Sequence, residues 1–263
     1  MDPRPRDVFS IHNGTIFRND VLLALPGLRF VRQIGSGANG VVFEAHDPGL
    51  NRSIAVKLWT MRIHDPSSRA MAEARKLAAL SHPLLVGVYV FDTIDGTPFA
   101  LMELVPGITL REWLATALHS MRERCAAWFL VSKALRFIYG AGHLHGDPHP
   151  GNVLMQRDHS HHCAVYLPHH LALTGVGLKL ADTGTSHVWA SRTKFREREK
   201  RLLLQTANQL FVGHHVKVFK TAPSSDPLIW ILDSFDHFAH YAGSYSELPT
   251  ETIAAMRRQA TKR

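Results

Sequence analysis

An acid and an amide stand close together in the stretch from Gly142 to Met155, which contains Asp147 and Asn152. The prolines and glycines of this stretch disfavour a helix, so the two side chains should lie on a loop. A carboxylate can accept the proton of a hydroxyl group, and an amide oxygen is a suitable ligand for a hard cation. Together they fit phosphoryl transfer from a magnesium nucleotide. The alternative interpretation is a surface loop rich in histidine and proline.

A second candidate is the glycine-rich sequence from Gly35 to Gly40, which matches the pattern G-x-G-x-x-G. A dinucleotide-binding loop of this pattern leads into a helix and is followed by an acid about 20 residues later. Here the glycines lead into Val41, Val42 and Phe43, whose branched and aromatic side chains favour a strand. The sequence therefore predicts a hairpin whose backbone amides close over phosphate oxygens, with an ordinary β-turn as the alternative.

Three more charged positions could complete such a site. Lys57 lies on a predicted strand, and an inward-facing lysine needs an anion to offset its loss of water. A nucleotide phosphate and the carboxylate of Glu73, on the predicted helix that follows, would both serve. Asp182 ends another predicted strand, where a carboxylate can hold a metal ion that bridges phosphates. The alternatives are a solvated lysine and an aspartate that starts an ordinary turn.

The hydrophobic pattern predicts an α+β protein with a small β-rich lobe followed by a mainly helical lobe. A ligand site is expected between the lobes. The predicted division is an N-terminal extension at 1–28, an N-lobe at 29–104 and a C-lobe at 105–263. The predicted strands are 28–33, 41–45, 53–59, 84–91, 99–104, 153–155 and 176–181, and the predicted helices are 16–25, 67–80, 109–119, 122–139, 194–211, 226–241 and 250–261.

The composition is that of a soluble globular protein, with 45% apolar and 20% charged residues. No apolar run is long enough to cross a bilayer, and the N-terminus lacks the apolar core of a secretion signal. Only two cysteines occur, so we expect a cytoplasmic protein without a disulfide framework.

The formal net charge is +8, with basic clusters at 192–201 and 257–263. Nucleic-acid binding is not favoured, because no aromatic residues interleave with these charges, and a solvated helix face with a basic tail is the preferred interpretation. The segment 158–170 is rich in histidine and contains Cys163. We expect an exposed hairpin there, with a zinc site as the alternative.

Taken in order, these motifs resemble those of the protein-kinase-like superfamily, from about Phe30 to Thr185. The resemblance implies a two-lobed fold with an antiparallel β-sheet N-lobe that contains one helix, and a reduced, mainly helical C-lobe. It also implies an ATP-dependent phosphotransferase. The motifs that carry it are Gly35-x-Gly37-x-x-Gly40-x-Val42, Ala55-Val56-Lys57, Glu73, Met102-Glu103, His145-Gly146-Asp147 through Asn152, and Asp182-Thr183-Gly184.

The resemblance implies catalytic roles as well. Asp147 would orient and deprotonate the acceptor hydroxyl, and Lys57 with Glu73 would act at the phosphates. His149 stands where many protein kinases place a lysine on the transferring phosphate. The ligands of Mg²⁺, with Mn²⁺ as an alternative ion, would be Asn152 and Asp182.

For ATP itself, the resemblance implies that the side chains of Val42, Ala55 and Leu154 sandwich the adenine. The backbone of Glu103 and Val105 would bond the edge of the ring. The full implied ATP-binding set is Ile34, Gly35, Gly37, Gly40, Val42, Ala55, Lys57, Met102, Glu103, Val105 and Leu154.

The two halves of the resemblance point to different acceptors. The segment from Ile34 to Ala45 is similar to eukaryotic-type serine/threonine kinases, whereas the sequence from His145 to Asn152 is similar to small-molecule phosphotransferases and to atypical kinases related to ubiquinone biosynthesis. No arginine precedes Asp147, so control by activation-loop phosphorylation is not expected. The leading prediction is transfer of the γ-phosphoryl group to serine or threonine of a protein. The alternatives are a small-molecule or lipid-like alcohol kinase or ATPase, and a nucleotide-binding scaffold without catalysis.

Overall fold

The computed structural model describes residues 8–25, 27–37, 40–60, 75, 78–156, 161–182, 192–211 and 226–244. Contacts divide the chain into two compact units. The first unit contains the described residues up to Ser81 and those from Val86 to Val105. The second unit contains His82–Leu85 and the described residues from Pro106 onward.

The first unit begins with a small antiparallel sheet of three strands. Their bounds are β1 (Phe9–His12), β2 (Thr15–Arg18) and β3 (Val21–Leu22), in the order β1-β2-β3. The predicted helix at 16–25 is therefore wrong. Asn13, Gly14, Asn19 and Asp20 adopt positive φ angles, which produce tight reversals between strands and prevent a continuous helix.

A five-stranded antiparallel sheet forms the rest of the first unit. It consists of β4 (Arg29–Gly37), β5 (Gly40–Asp47), β6 (Arg52–Trp59), β7 (Val88–Ile94) and β8 (Thr97–Glu103), in the order β4-β5-β6-β8-β7. Its buried side chains Phe30, Phe43 and Val56 pack in one core with Ile16 and Leu23 of the N-terminal segment. The residues before Arg29 therefore contribute to the same hydrophobic core as the larger sheet.

The predicted strand at 84–91 begins later than expected, at Val88. Leu84 and Leu85 belong to the second unit, where the Leu84 carbonyl accepts a hydrogen bond from the Leu180 N–H at 2.7 Å. A contact distant in sequence therefore determines where this strand starts.

The second unit is mainly helical and contains a small antiparallel sheet. The helices are α1 (Leu110–Thr116), α2 (Met121–Gly140), α3 (His161–Ala164), α4 (His169–Ala172), α5 (Arg192–Leu210) and α6 (Pro227–Ser244). The sheet has the order β11-β10-β9 and consists of β9 (Gly107–Thr109), β10 (Val153–Gln156) and β11 (Leu178–Leu180). Thr109 and Glu112 form the capping box predicted at the start of α1.

Helix α2 is the buried centre of the second unit, and two carboxylates of α6, Asp233 and Asp236, bond it. Asp236 of α6 accepts hydrogen bonds from Trp128 Nε1 at 2.9 Å, Ser132 Oγ at 2.9 Å and Arg136 Nη2 at 2.8 Å. Burial raises the pKa of Asp236, while these bonds oppose the shift. Because the loop with Asp147 leaves the end of α2, this network also anchors that loop.

The histidine-rich segment does not form the expected exposed hairpin where the structure describes it. It contains the two short helices α3 and α4, and the side chains of Cys163 and Leu171 are buried. Within the described ranges, no group of three or more His, Cys, Asp or Glu side chains is arranged to hold a metal ion.

Some predictions fall elsewhere in the chain. Glu73, Thr183 and the predicted helix at 250–261 lie outside the described residues, as does most of the predicted helix at 67–80. Among the described helices, none has both the length and the apolar character needed to cross a bilayer.

Candidate active site

The loop that carries Asp147 lies between α2 and a short 3-10 turn at Pro150–Asn152, which leads into β10. Asn152 donates a hydrogen bond from Nδ2 to the backbone carbonyl of Asp147 at 2.9 Å. This bond fixes the spacing of the acid and the amide predicted from the sequence. It also uses the amide nitrogen, so the amide oxygen is the atom left for a cation.

His145 connects this loop to the end of β11. Its side chain is fully buried, and Nε2 lies 2.8 Å from the carbonyl oxygen of Ala181. The Asp147 N–H donates to His145 Nδ1 at 3.2 Å, so Nε2 carries the proton. Burial lowers the pKa of His145 to about 4, and the ring is therefore neutral at pH 7.

Asp182 is brought beside the loop through its neighbour Ala181. The Ala181 N–H donates to the carbonyl of Asn152 at 2.7 Å, while the Ala181 carbonyl faces His145. Asp182 has a φ of +62°, a left-handed conformation that is uncommon for residues other than glycine and recurs at functional sites. The Asp182 charge opposes the lowering of the pKa of both His145 and His149. The structure therefore brings Asp147, Asn152 and Asp182 together.

The carboxylate of Asp147 lies between two basic groups. Oδ1 accepts a hydrogen bond from Arg198 Nη2 at 2.9 Å, and Oδ2 lies 3.6 Å from His149 Nε2. His149 Nδ1 accepts from the Gly151 N–H at 2.9 Å, so in the neutral ring the proton is on Nε2, facing Asp147. Burial lowers the pKa of His149, which makes the ring mostly neutral at pH 7. The sequence analysis missed Arg198.

Glu199 is a second residue that the sequence analysis missed. Its buried carboxylate accepts hydrogen bonds from the backbone N–H groups of Gly146 at 2.6 Å and His145 at 3.1 Å, and from the hydroxyl of Tyr139 at 2.9 Å. Burial raises the pKa of Glu199 to about 7, although these three bonds oppose the shift. Helix α5 therefore fixes the backbone next to Asp147 through a buried acid.

A signal for Glu199 was present in the sequence. Phe195, Glu199 and Leu203 follow one another at intervals of four residues, so a helix places them on one face. All three side chains are buried. An acid within an apolar stripe must find donors, and this requirement distinguishes Glu199 from the exposed Glu197.

In the first unit, the glycine-rich segment forms the predicted hairpin of β4 and β5, in which Gly37 pairs with Gly40. A Cβ atom at Gly40 would lie 2.3 Å from the carbonyl oxygen of Leu58, so only glycine fits there. Gly37 has open space around it, and Ile34 is exposed. The close approach at Gly40 brings β5 against β6, the strand that carries Lys57.

Lys57 is only 6% exposed, and its Nζ atom lies 4.9 Å from the centre of the Trp59 ring. Its strand neighbours in the sheet are Val42 on β5 and Ala100 on β8. A lysine at this depth is uncommon unless an anion or a ring compensates for its lost hydration.

Val42, Ala55 and Glu103, which belong to the set predicted to contact adenine, lie near this lysine in the sheet register. Ala55 is paired with Met102, and both side chains are buried. The Glu103 N–H donates to the Gly87 carbonyl at 2.8 Å, and Glu103 Oε2 accepts from the Gly87 N–H at 3.1 Å. Because this N–H already donates to Gly87, we do not expect it to donate to adenine. The carbonyl oxygen of Glu103 is the backbone atom that could accept from the adenine amino group.

The predicted site residues therefore form two sets. The first unit contains Ile34, Gly35, Gly37, Gly40, Val42, Ala55, Lys57, Met102, Glu103 and Val105. The second unit contains Asp147, His149, Asn152, Leu154 and Asp182.

Comparisons with known proteins agree with these motifs. A family model described as protein kinase domain matches residues 28–205. The chain is 38% identical over 133 residues to a probable serine/threonine-protein kinase, SCO3848, of Streptomyces coelicolor, which covers 48% of this chain and 20% of that protein. It is 31% identical over 168 residues to the serine/threonine-protein kinase PknB of Mycolicibacterium smegmatis, covering 58% of this chain and 24% of that protein. The chain thus matches only about a quarter or less of the length of these relatives.

Solved structures show the same fold. The PknI kinase domain of Mycobacterium tuberculosis superposes with a TM-score of 0.55 at 21% identity, covering 90% of both chains. A double mutant of that domain gives a TM-score of 0.58 at 20% identity and covers 90% of this chain and 100% of the other. The predicted α+β, kinase-like fold is therefore confirmed. Since the family model covers well over half of the sequence, the chain belongs to the protein kinase domain family.

Proposed function

We propose that this protein transfers the γ-phosphoryl group of ATP to serine or threonine of a protein. The observation that carries the proposal is the hydrogen-bonded frame that joins Asp147 to Asn152 and Asn152 to Ala181, the neighbour of Asp182, in a chain of the protein kinase family. Asp147 accepts the proton of the attacking hydroxyl, the oxygen of that hydroxyl bonds to the γ-phosphorus, and ADP leaves. Most of the catalysis then comes from positioning and charge neutralisation.

The donor set fits a divalent cation. The amide oxygen of Asn152 and the carboxylate of Asp182 are hard oxygen ligands, and the bond from Asn152 Nδ2 to the loop orients that amide. We propose Mg²⁺, with Mn²⁺ as an alternative ion. When bound, the ion would neutralise charge on the phosphate oxygens.

We also propose that the chain binds ATP. The β4–β5 hairpin would place backbone amides on phosphate oxygens, and buried Lys57 would gain a phosphate as its counterion. Glu73 would be the second partner of this lysine. Val42, Ala55 and Leu154 would contact the adenine faces, and the remaining residues of the implied ATP-binding set keep the roles given above.

Several broader expectations also stand as proposals. Both cysteines are free thiols, which suits a reducing compartment, and we propose a cytoplasmic location. The division into 1–28, 29–104 and 105–263 remains a prediction, and nucleic acid remains an unfavoured partner.

A small-molecule alcohol is the second candidate acceptor. It is favoured by His149, which occupies the place of the usual lysine and is held as a mostly neutral ring. A transfer assay with radiolabelled ATP separates the candidates when generic protein substrates and a metabolite extract are offered in parallel. Label in protein that disappears in an Asp147→Asn variant supports the proposal. Label found only in small molecules would show that the acceptor is a small-molecule alcohol and not a protein. Equal ATP turnover by wild type and Asp182→Asn would favour the non-catalytic scaffold.

A further inference from the structure

Three basic side chains lie at the proposed base or beside His149, and we call them the basic rim: Arg111, His149 and Arg198. Arg198 Nη2 and His149 Nε2 face the two carboxylate oxygens of Asp147, at 2.9 and 3.6 Å. Arg111 Nη2 lies 3.5 Å from the position of a Cβ atom built on Gly151. The charges of Arg111 and Arg198 both contribute to the lowered pKa of His149, so the three groups are electrostatic neighbours.

The charges that face the rim do not neutralise it. Asp147 supplies one negative charge for two arginines, and Asp182 is assigned to the cation. Glu199 is buried and directed at backbone N–H groups. Glu112, next to Arg111, is bonded to the N-cap residue Thr109. With Asp182 holding the proposed cation, the two arginines face one carboxylate, and the rim has a net positive charge.

Arg198 has unused donors. Its side chain is 42% exposed, and its buried Nε atom has no hydrogen-bond partner among the described residues. A guanidinium carries five N–H donors in a planar fork suited to carboxylate or phosphate. The Asp147 side chain is 13% exposed, whereas the guanidinium side of the pair faces solvent, so an incoming anion can reach this arginine.

Most charged side chains of α5 are also basic, with Glu197 and Glu199 as the acids among them. Arg196, Lys200 and Arg201 are exposed, although Arg196 also pairs with Asp226. This is the basic run at 192–201 that the proposed phosphoryl transfer does not itself use. The rim contains no Trp, Tyr or Phe side chain on which nucleic-acid bases could stack, which makes a protein the better anionic partner.

We infer that the basic rim binds an anionic side chain, carboxylate or phosphate, that flanks the acceptor hydroxyl, so that the substrates are acidic serine/threonine segments. The inference rests on the proposed function and names its substrate class. As the anion binds, Arg198 Nη2 moves from Asp147 to the new partner. Asp147 Oδ1 then becomes available to the hydroxyl, and the same residue links recognition of the substrate to exposure of the base.

The test uses the full chain with ATP and Mg²⁺, and a set of serine peptides of equal length. The residues flanking serine are alanine, arginine, aspartate or phosphoserine. We expect kcat/KM for the aspartate or phosphoserine peptides to exceed that for the alanine peptide by about tenfold, equivalent to about 1.4 kcal/mol. Raising the salt concentration should reduce the preference.

Variants identify the residue responsible. Arg198→Gln should bring the ratio of kcat/KM for acidic peptides to kcat/KM for the alanine peptide close to one. Arg198→Lys should restore part of the acidic preference. Arg111→Gln should lower the ratio less, because the carboxylate of Asp147 is paired with Arg198 and His149 among the described residues. Lys200→Gln is the matched control, because it removes the same charge from α5 at an exposed position two residues away and should keep the preference. Thermal melts establish that each variant is folded.

The outcomes separate this inference from the function on which it rests. A preference for aspartate and phosphoserine alike assigns the rim to anions in general, and a preference for phosphoserine alone assigns it to phosphate. Phosphorylation of all peptides at equal kcat/KM, or a full acidic preference in folded Arg198→Gln, overturns the inference and leaves the kinase function intact. Phosphorylation of no peptide overturns both.

Discussion

The carboxylate of Glu199 accepts a hydrogen bond from the backbone N–H of Gly146 at a distance of 2.6 Å. Gly146 immediately precedes Asp147 and has a φ of +89°, a conformation that favours glycine. A residue on α5 thus fixes the backbone that presents the proposed base. The adjacent Arg198 bonds the base itself, so two consecutive residues of one helix control both backbone and side chain of the loop.

Glu199→Ala should reduce stability and turnover together. It leaves the N–H groups of Gly146 and His145 and the hydroxyl of Tyr139 without their acceptor, at about 1–3 kcal/mol for each buried group left unpaired. A displaced loop should lower kcat by roughly 10² with a smaller change in the KM for ATP. Urea denaturation and steady-state kinetics provide the two measurements. Glu197→Ala, on an exposed side of α5, is the control, and a Glu199→Ala protein with unchanged unfolding free energy would contradict the assignment.

The pH dependence of stability should reveal two opposing buried groups. The pKa of Glu199 is raised from 4.5 to about 7. Its contribution to the free energy of unfolding is therefore fully present below pH 4.5 and is lost as the pH rises towards 7. The pKa of His145 is lowered from 6.5 to about 4, so stability is lost as the pH falls from 6.5 towards 4. Each effect is on the order of 3 kcal/mol, and between pH 4.5 and 6.5 they oppose each other.

A Glu199→Gln variant removes the titration of Glu199 and leaves that of His145. Its free energy of unfolding should rise more steeply between pH 4.5 and 6.5 than that of wild type, because the His145 contribution remains alone. Urea titrations at pH 4.5, 5.5 and 6.5 measure both slopes. Identical slopes would show that Glu199 does not titrate as its burial implies.

Asp147→Asn should bind ATP but transfer phosphate slowly. Removing the base should lower the rate by about 10²–10⁴, while the fold and the nucleotide site persist. Single-turnover transfer and calorimetric binding of ATP separate chemistry from affinity. Full activity in this variant would remove Asp147 from the role of base.

Gly40→Ala should destabilise the first unit, whereas Gly37→Ala should not. A methyl group at residue 40 would lie 2.3 Å from the Leu58 carbonyl oxygen, so β5 and β6 must move apart. This should lower the free energy of unfolding by roughly 1–3 kcal/mol. Residue 37 has open space, and the expected change is within about 0.5 kcal/mol. Thermal melts of the two variants provide a direct comparison. Equal melting temperatures would contradict the close approach.

Asp182→Asn should weaken the metal dependence of ATP binding. Loss of one anionic oxygen ligand lowers affinity for the Mg²⁺ complex more than for free ATP. Calorimetry with ATP in Mg²⁺ and in excess chelator measures the two affinities. An unchanged ratio between them would mean that Asp182 is not a ligand of the ion.

The local signals of the sequence predicted most of the elements correctly. The capping box at Thr109 and Glu112, the strand from Val153 to Met155 and the buried helix α2 all follow from patterns within a few residues. These features are controlled by neighbouring residues, so spacing alone identifies them. The helix predicted at 16–25 failed because apolar spacing in a short segment does not separate a helix from strands joined by tight turns.

Local sequence patterns do not predict the contacts of α5. Arg198 meets Asp147 and Glu199 meets Gly146 across more than fifty positions in the sequence. Within a run of alternating bases and acids, nothing local distinguishes the arginine that bonds Asp147 from those in water. Glu199 was recoverable from its place in the stripe of Phe195 and Leu203, whereas Arg198 became evident only from the tertiary structure.

The three-stranded sheet before residue 28 has a practical consequence for where the folded domain begins. The kinase family match starts at residue 28, yet Ile16 and Leu23 are part of the hydrophobic core, and buried Arg18 bonds Thr97 and the Thr60 carbonyl. A protein shortened to the family boundary would leave a hydrophobic gap and two polar partners without their cation. The folded form of this kinase-family domain therefore includes the strands from Phe9 to Leu22.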